Sequence, residues 1–231
     1  MNKSRVEDTR YNQEKFKQLV SQCIIYCLSQ NEGKKKIRKD LIVEACLEGN
    51  RQQFKEIIQG VETLLKSNFG LQLLPAHSDG YFITRDKSKM SDLQIENEYE
   101  EELNDMTEEE KLEKQILELV ISAIYLRDDM ITEDDLYEFL SKSGLMGDDF
   151  LSDILAKYQE TKRTKFTAKD YYDHLLKKKF VKQLYLDYKK NEQRSSKLEV
   201  QFMFTLGPRG EACRSKENIQ ATLDHILKLS Q

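Results

Sequence analysis

The chain carries four cysteines and three histidines, the side chains from which thiolate nucleophiles, imidazole bases and soft metal sites are made. Their spacing argues against all three. Cys23 and Cys27 stand four apart on an apolar helical stripe, Cys46 follows Ala45 in a second apolar run, and Cys213 stands alone. No C-x-x-C pair occurs, and His77, His174 and His225 are scattered. A structural zinc needs four converging ligands, so the expectation is buried reduced thiols, with no metal and no other cofactor. There is no G-x-S-x-G and no H-E-x-x-H, and Gly207-Pro208-Arg209-Gly210 lacks the Lys-Ser/Thr of a phosphate loop. The acids between residues 96 and 110 form a charge run, whereas acid and base carboxylates that work as a pair need different environments in a pocket. No catalytic residue and no small-molecule substrate are expected.

The cations give the sharper signal. Net charge is −4, but residues 1–85 hold 14 basic and 10 acidic side chains, 86–160 hold 7 and 23, and 161–231 hold 16 and 8. A basic last third in an acidic chain implies a localised anionic partner. Lys177, Lys178, Lys179 and Lys182 form one cluster, and Lys189, Lys190, Arg194 and Lys197 another. Lysine runs are also ordinary solvated surface, so the elements that carry them decide the matter. Phe202 and Phe204 lie close by and could stack bases, but they alternate with Val200 and Leu206 on one strand face, which marks core.

Those elements follow from periodicity. Phe16, Leu19, Val20, Cys23, Ile24, Cys27 and Leu28 repeat at helical spacing, residues 31–36 interrupt, and helices follow around Leu41–Leu47 and Phe54–Leu65. Two apolar runs flank Ser78-Asp79-Gly80, a hairpin signal. Three helices and a hairpin are the order of a winged helix, assigned to residues 1–85. Residues 86–107 hold few large apolar side chains and read as a solvated acidic linker, closed by a Thr107–Glu110 capping box. Residues 108–231 repeat the architecture. Helices run from Leu112 and, capped by Thr132, through Leu136, Phe139 and Leu140. An insertion over 142–166 has a short helix near Phe150–Tyr158, and a third helix starts at Thr167. Leu184, Leu186 and Tyr188 then face one way on a strand, Val200 to Leu206 form its partner, and a last helix buries Ile219, Leu223, Ile226 and Leu227. The fold class is mainly α with small β-hairpins (α+β), a tandem of winged helices. The first lysine cluster ends the third helix of the second unit and the other decorates its wing, the parts of this fold that lie along a duplex. Phosphate contacts carry no base information, so binding without sequence specificity is expected. Five of the eight cations on phosphates would give a slope of log affinity against log salt of roughly −4.5. No run approaches the roughly 20 apolar residues of a membrane span, and the first residues lack an apolar signal region. A soluble intracellular protein with no membrane partner is expected.

The string LEVQFMFTLGPRGEA over 198–212, followed by a helix ending in DHILKL, resembles the C-terminal part of the MAGE homology domain. The family has an aromatic and apolar strand, then Trp-Gly-Pro-Arg-Ala, then a helix. Upstream, Tyr185, Leu186 and Tyr188 match its preceding strand, and Lys39-Asp40-Leu41-Ile42 and Phe69-Gly70-Leu71 its first unit. Leu206 stands where the family has Trp, and Gly210 where it has Ala. This drift fits the branch that serves as third non-SMC element of the structural-maintenance-of-chromosomes five/six complex better than the mammalian tumour antigens. That resemblance implies a nuclear, chromatin-associated, non-catalytic scaffold in DNA repair. Its partners would be a RING-type ubiquitin-ligase subunit, a kleisin subunit, SMC proteins and double-stranded DNA. In the family the first winged helix and the groove between the units dock proteins, which here points to Ile24, Ile25, Leu28, Leu64 and Leu65. The competing expectation is a ubiquitin-ligase adaptor whose basic surface is incidental. Arg209 belongs to the family motif and is read as bracing the turn through backbone carbonyls.

Overall fold

The computed structural model describes residues 2–77, 79–86, 101–147, 151–157, 167–191 and 201–213, with side chains from Gln13 onward. The chain divides into two compact units, Met1–Ile95 and Glu96–Gln231.

In the first unit, α1 (Asn2–Asn31) leads through β1 (Ile37–Arg38) and α2 (Lys39–Leu47) to α3 (Phe54–Phe69) and the hairpin β2 (Leu71–Ala76) and β3 (Gly80–Arg85). The core joins Val20, Cys23, Ile24 and Cys27 of α1 to Ile42 and Cys46 of α2 and to Ile57, Val61 and Leu65 of α3. α3 stops at Gly70, whose φ of 62° is open to glycine without a Cβ clash, and whose N–H bonds the Leu65 carbonyl. The sheet runs β1-β3-β2, antiparallel throughout. β1 is absent from the sequence-based expectation because two residues cannot show alternation. Its identity comes from pairing Ile37 with Tyr81 across the sheet.

The second unit repeats the order. After α4 (101–105) come α5 (Glu108–Leu126), β4 (Met130–Thr132), α6 (Glu133–Lys142), α7 (151–157) and α8 (Ala168–Tyr172). The strands β5 (Leu186–Lys190) and β6 (Phe202–Leu206) follow, then α9 (Pro208–Cys213). The sheet runs β4-β6-β5. Capping boxes start two helices, Thr107 with Glu110 and Thr167 with Asp170, each satisfying two N-terminal donors. Buried residues of α5, α6 and α8 close over Ile131, Leu186, Phe204 and Leu206.

Four further features depart from the sequence-based picture. Part of the predicted linker is helical: α4 lies within 86–107, and its Glu102 pairs with Lys114 of α5 at 2.8 Å. The strand predicted from Leu184 starts at Leu186, because Leu184 takes a left-handed φ of 66°. β4 is an added strand, too short to read. The third helix changes type, continuing from α8 as a π-helix over Asp173–Phe180. The predicted last-helix residues Ile219, Leu223, Ile226 and Leu227 lie outside the described residues.

Candidate nucleic-acid interface

The π-helix decides where the first lysine cluster points. Leu175, Leu176 and Phe180 hold it to the core, leaving Lys177, Lys178 and Lys179 on three different bearings. Lys177 turns inward. Its Nζ lies 2.5 Å from Glu133 Oε1 at the start of α6 and 2.5 Å from Asp173 Oδ1 one turn back. The Tyr137 hydroxyl donates to Asp173 at 2.7 Å, and the Tyr188 hydroxyl donates to Glu133. The ammonium also stands 5.8 Å from the Tyr137 ring centre and 5.4 Å from that of Tyr188. Burial works against its charge, but Asp173 and Glu133 outweigh that and raise its pKa. Burial likewise opposes ionisation of Asp173, and the bonds from Lys177 and Tyr137 hold its carboxyl below the usual range. Burial and the Glu133 contact push the Tyr188 hydroxyl up to about 12.

Lys177 thus ties α6, the π-helix and β5 together inside the unit, and an incoming phosphate would have to break that cluster to reach it. Lys179 is also engaged, by Glu113 of α5. The other described cations differ. Lys178, Lys182, Lys189 and Lys190 are exposed and take no part in the ion pairs among the described residues. Arg194 and Lys197 lie outside the described residues. The predicted set of eight therefore separates into two that are ion-paired, four that are exposed and outside the ion pairs among the described residues, and two that are undescribed. Asp173 to Lys177 is an i, i+4 pair legible from sequence. Glu133, 44 residues from Lys177, is not.

Phe202 corrects the expectation of a fully buried strand face. Phe204 is fully buried, but Phe202 is 37% exposed and stacks on Tyr188, with centroids 5.1 Å apart and planes 16° from parallel. Phe202 also lies beyond the β4 pairing, which reaches no further than Thr132 opposite Met203.

The Gly-Pro-Arg turn is built as a brace. Gly207 and Arg209 donate backbone N–H bonds to the Tyr185 and Leu184 carbonyls, both at 2.9 Å. The Arg209 side chain is buried, and its Nε donates to the Gln183 carbonyl at 3.1 Å.

The predicted protein-docking residues also divide. Ile24 and Leu65 are 7% and 0% exposed and belong to the core, so neither is open to a partner. Ile25, off the main stripe, is 69% exposed; Leu64 is exposed and Leu28 half-buried. Cys23, Cys27 and Cys46 are buried, and burial pushes their thiols up, Cys27 to about 12, which keeps them protonated and poor as nucleophiles. Among the described residues no group of three or more His, Cys, Asp or Glu could hold a metal ion.

The family model for the MAGE homology domain matches residues 23–216. Among solved structures, a chain of the Nse1-Nse3-Nse4 complex superposes with a TM-score of 0.64 and 21% identity, over 94% of this chain and 92% of that one. No curated protein matches the sequence.

Proposed function

The chain belongs to the MAGE homology domain family, and from that premise we propose that it is a non-catalytic scaffold subunit of a structural-maintenance-of-chromosomes five/six DNA-repair complex, nuclear and chromatin-associated. It binds a RING-type ubiquitin-ligase subunit, which it can stimulate, and a kleisin subunit, and it lies against SMC proteins and duplex DNA. The solved neighbour is one component of a three-part assembly, Nse1-Nse3-Nse4, which supports a subunit role of this kind.

The observation that carries the DNA contact is the outer set of lysines. Lys178 and Lys182 on the third helix and its end, with Lys189 and Lys190 on the wing strand, present four exposed charges from one winged helix. Four phosphate contacts give a salt slope of about −3.6, and Lys178→Glu with Lys182→Glu should flatten it by about 1.8 on every duplex sequence alike. Fluorescence anisotropy at several salt concentrations reads both numbers. No duplex binding at low salt would favour the ubiquitin-ligase adaptor without physiological DNA binding.

For the protein partners, Ile25 is the best single probe. Ile25→Lys should abolish capture of the RING subunit while moving Tm by only a few degrees, since an exposed substitution changes stability by about 0.5 kcal/mol or less. Pull-down beside a melting curve separates loss of contact from loss of fold.

A further inference from the structure

The wing strands carry a ring ladder that runs out of the core into solvent. Directly opposed residues of an antiparallel pair share a face. Leu186 with Leu206, Tyr188 with Phe204 and Lys190 with Phe202 therefore form successive rungs on one side of the sheet. Leu186 and Phe204 are fully buried, and the exposed ring of Phe202 lies on the Tyr188 ring. Tyr188 is held from three sides: its hydroxyl on Glu133, the Lys177 ammonium 5.4 Å from its ring centre, and Phe204 at 4.8 Å. The last ring is presented by a fixed neighbour, with the exposed Lys190 directly across the strand pair.

We propose that the open face of Phe202 is a stacking site for one unpaired nucleobase, with the adjoining phosphates meeting Lys190. The proposal rests on the DNA-binding reading above and extends it from phosphates to a base. An aromatic face stacks any base, so no sequence preference follows. A guanidinium from a protein partner could also cover a ring, but the exposed Lys190 directly across the strand pair repels a cation. A base brings its own anionic backbone, which that charge favours.

The test uses the full chain, a blunt duplex, and the same duplex with a single-stranded extension of about four nucleotides containing 2-aminopurine. The wild type should prefer the extended duplex by about fivefold or more, with quenching of the 2-aminopurine. Phe202→Ala should reduce the extended duplex to blunt affinity, leave the blunt duplex unchanged and abolish the quench; Phe202→Trp should keep both. Far-ultraviolet dichroism confirms that the variants fold. Equal wild-type affinity for the two duplexes, or a preference that survives Phe202→Ala, overturns the stacking site and leaves duplex binding intact. Absence of binding to either DNA removes both readings.

Discussion

Lys177→Met should destabilise the second unit by about 2 kcal/mol while leaving the salt slope of DNA binding unchanged. Removing one member of a buried ion pair costs about 3–5 kcal/mol, because the partner charge stays behind without compensation. The Lys177, Glu133 and Asp173 side chains are 23%, 20% and 34% exposed, so water softens that penalty. The slope is the discriminating readout: a lysine on phosphate adds about 0.9 to it, whereas one bound inside the protein adds nothing. The pH profile gives a second check. Asp173 is held below its ordinary value, so its pair with Lys177 stabilises the fold above the unfolded value of about 4, and that contribution is lost as pH falls through the lowered folded value. The gap between wild type and Lys177→Met should be widest near neutrality and narrow in acid. A flattened salt slope at unchanged Tm would return Lys177 to the phosphate-facing set.

The same residue shows how far sequence reaches. The apolar stripe of α1, the Asp79-Gly80 hairpin, the Thr107–Glu110 box, the Thr132 cap and the helix start at Thr167 are local signals, fixed within a few residues, and each element forms where they indicate. The strands β1 and β4 exist only as pairing partners, so nothing in two or three residues announces them. For the candidate interface, composition located the cations and fold order placed them on the third helix and wing. Which of them face solvent depends on Glu133 and Glu113, carboxylates brought in from α6 and α5. The π-helix matters too, since its wider turn changes the bearing of each side chain that follows. Likewise Ile25 could be singled out from the stripe it misses, whereas the burial of Leu65 reflects packing against α1.

Gly210→Ala is the substitution expected to cost most, about 3 kcal/mol, the upper end for forcing an extra methyl into a packed site. A Cβ there would come within 2.2 Å of the Tyr185 carbonyl oxygen, which is backbone and cannot swing aside. The surroundings are equally fixed: a Cβ at Gly207 would meet the Leu184 carbonyl at 2.5 Å, and Arg209 is bonded to the Gln183 carbonyl. Since α9 is pinned along this edge, it must lift to admit the methyl, breaking bonds to Leu184 and Tyr185. In the motif this segment resembles, alanine stands here together with tryptophan in place of Leu206, and the two positions are expected to be coupled. The Leu206 Cδ2 sits 3.5 Å from the added Cβ, in ordinary contact, so a larger side chain at 206 would press on α9 at this point. A tryptophan in its place would hold the helix further out and open room for the methyl. Leu206→Trp alone should also destabilise, by overpacking a residue that is 7% exposed. The double variant should therefore be more stable than the sum of the single losses allows, by about 1 kcal/mol or more, the coupling expected of residues in contact. Chemical denaturation of the four proteins in a double-mutant cycle measures it, and simple additivity would show that position 206 does not govern the approach of α9.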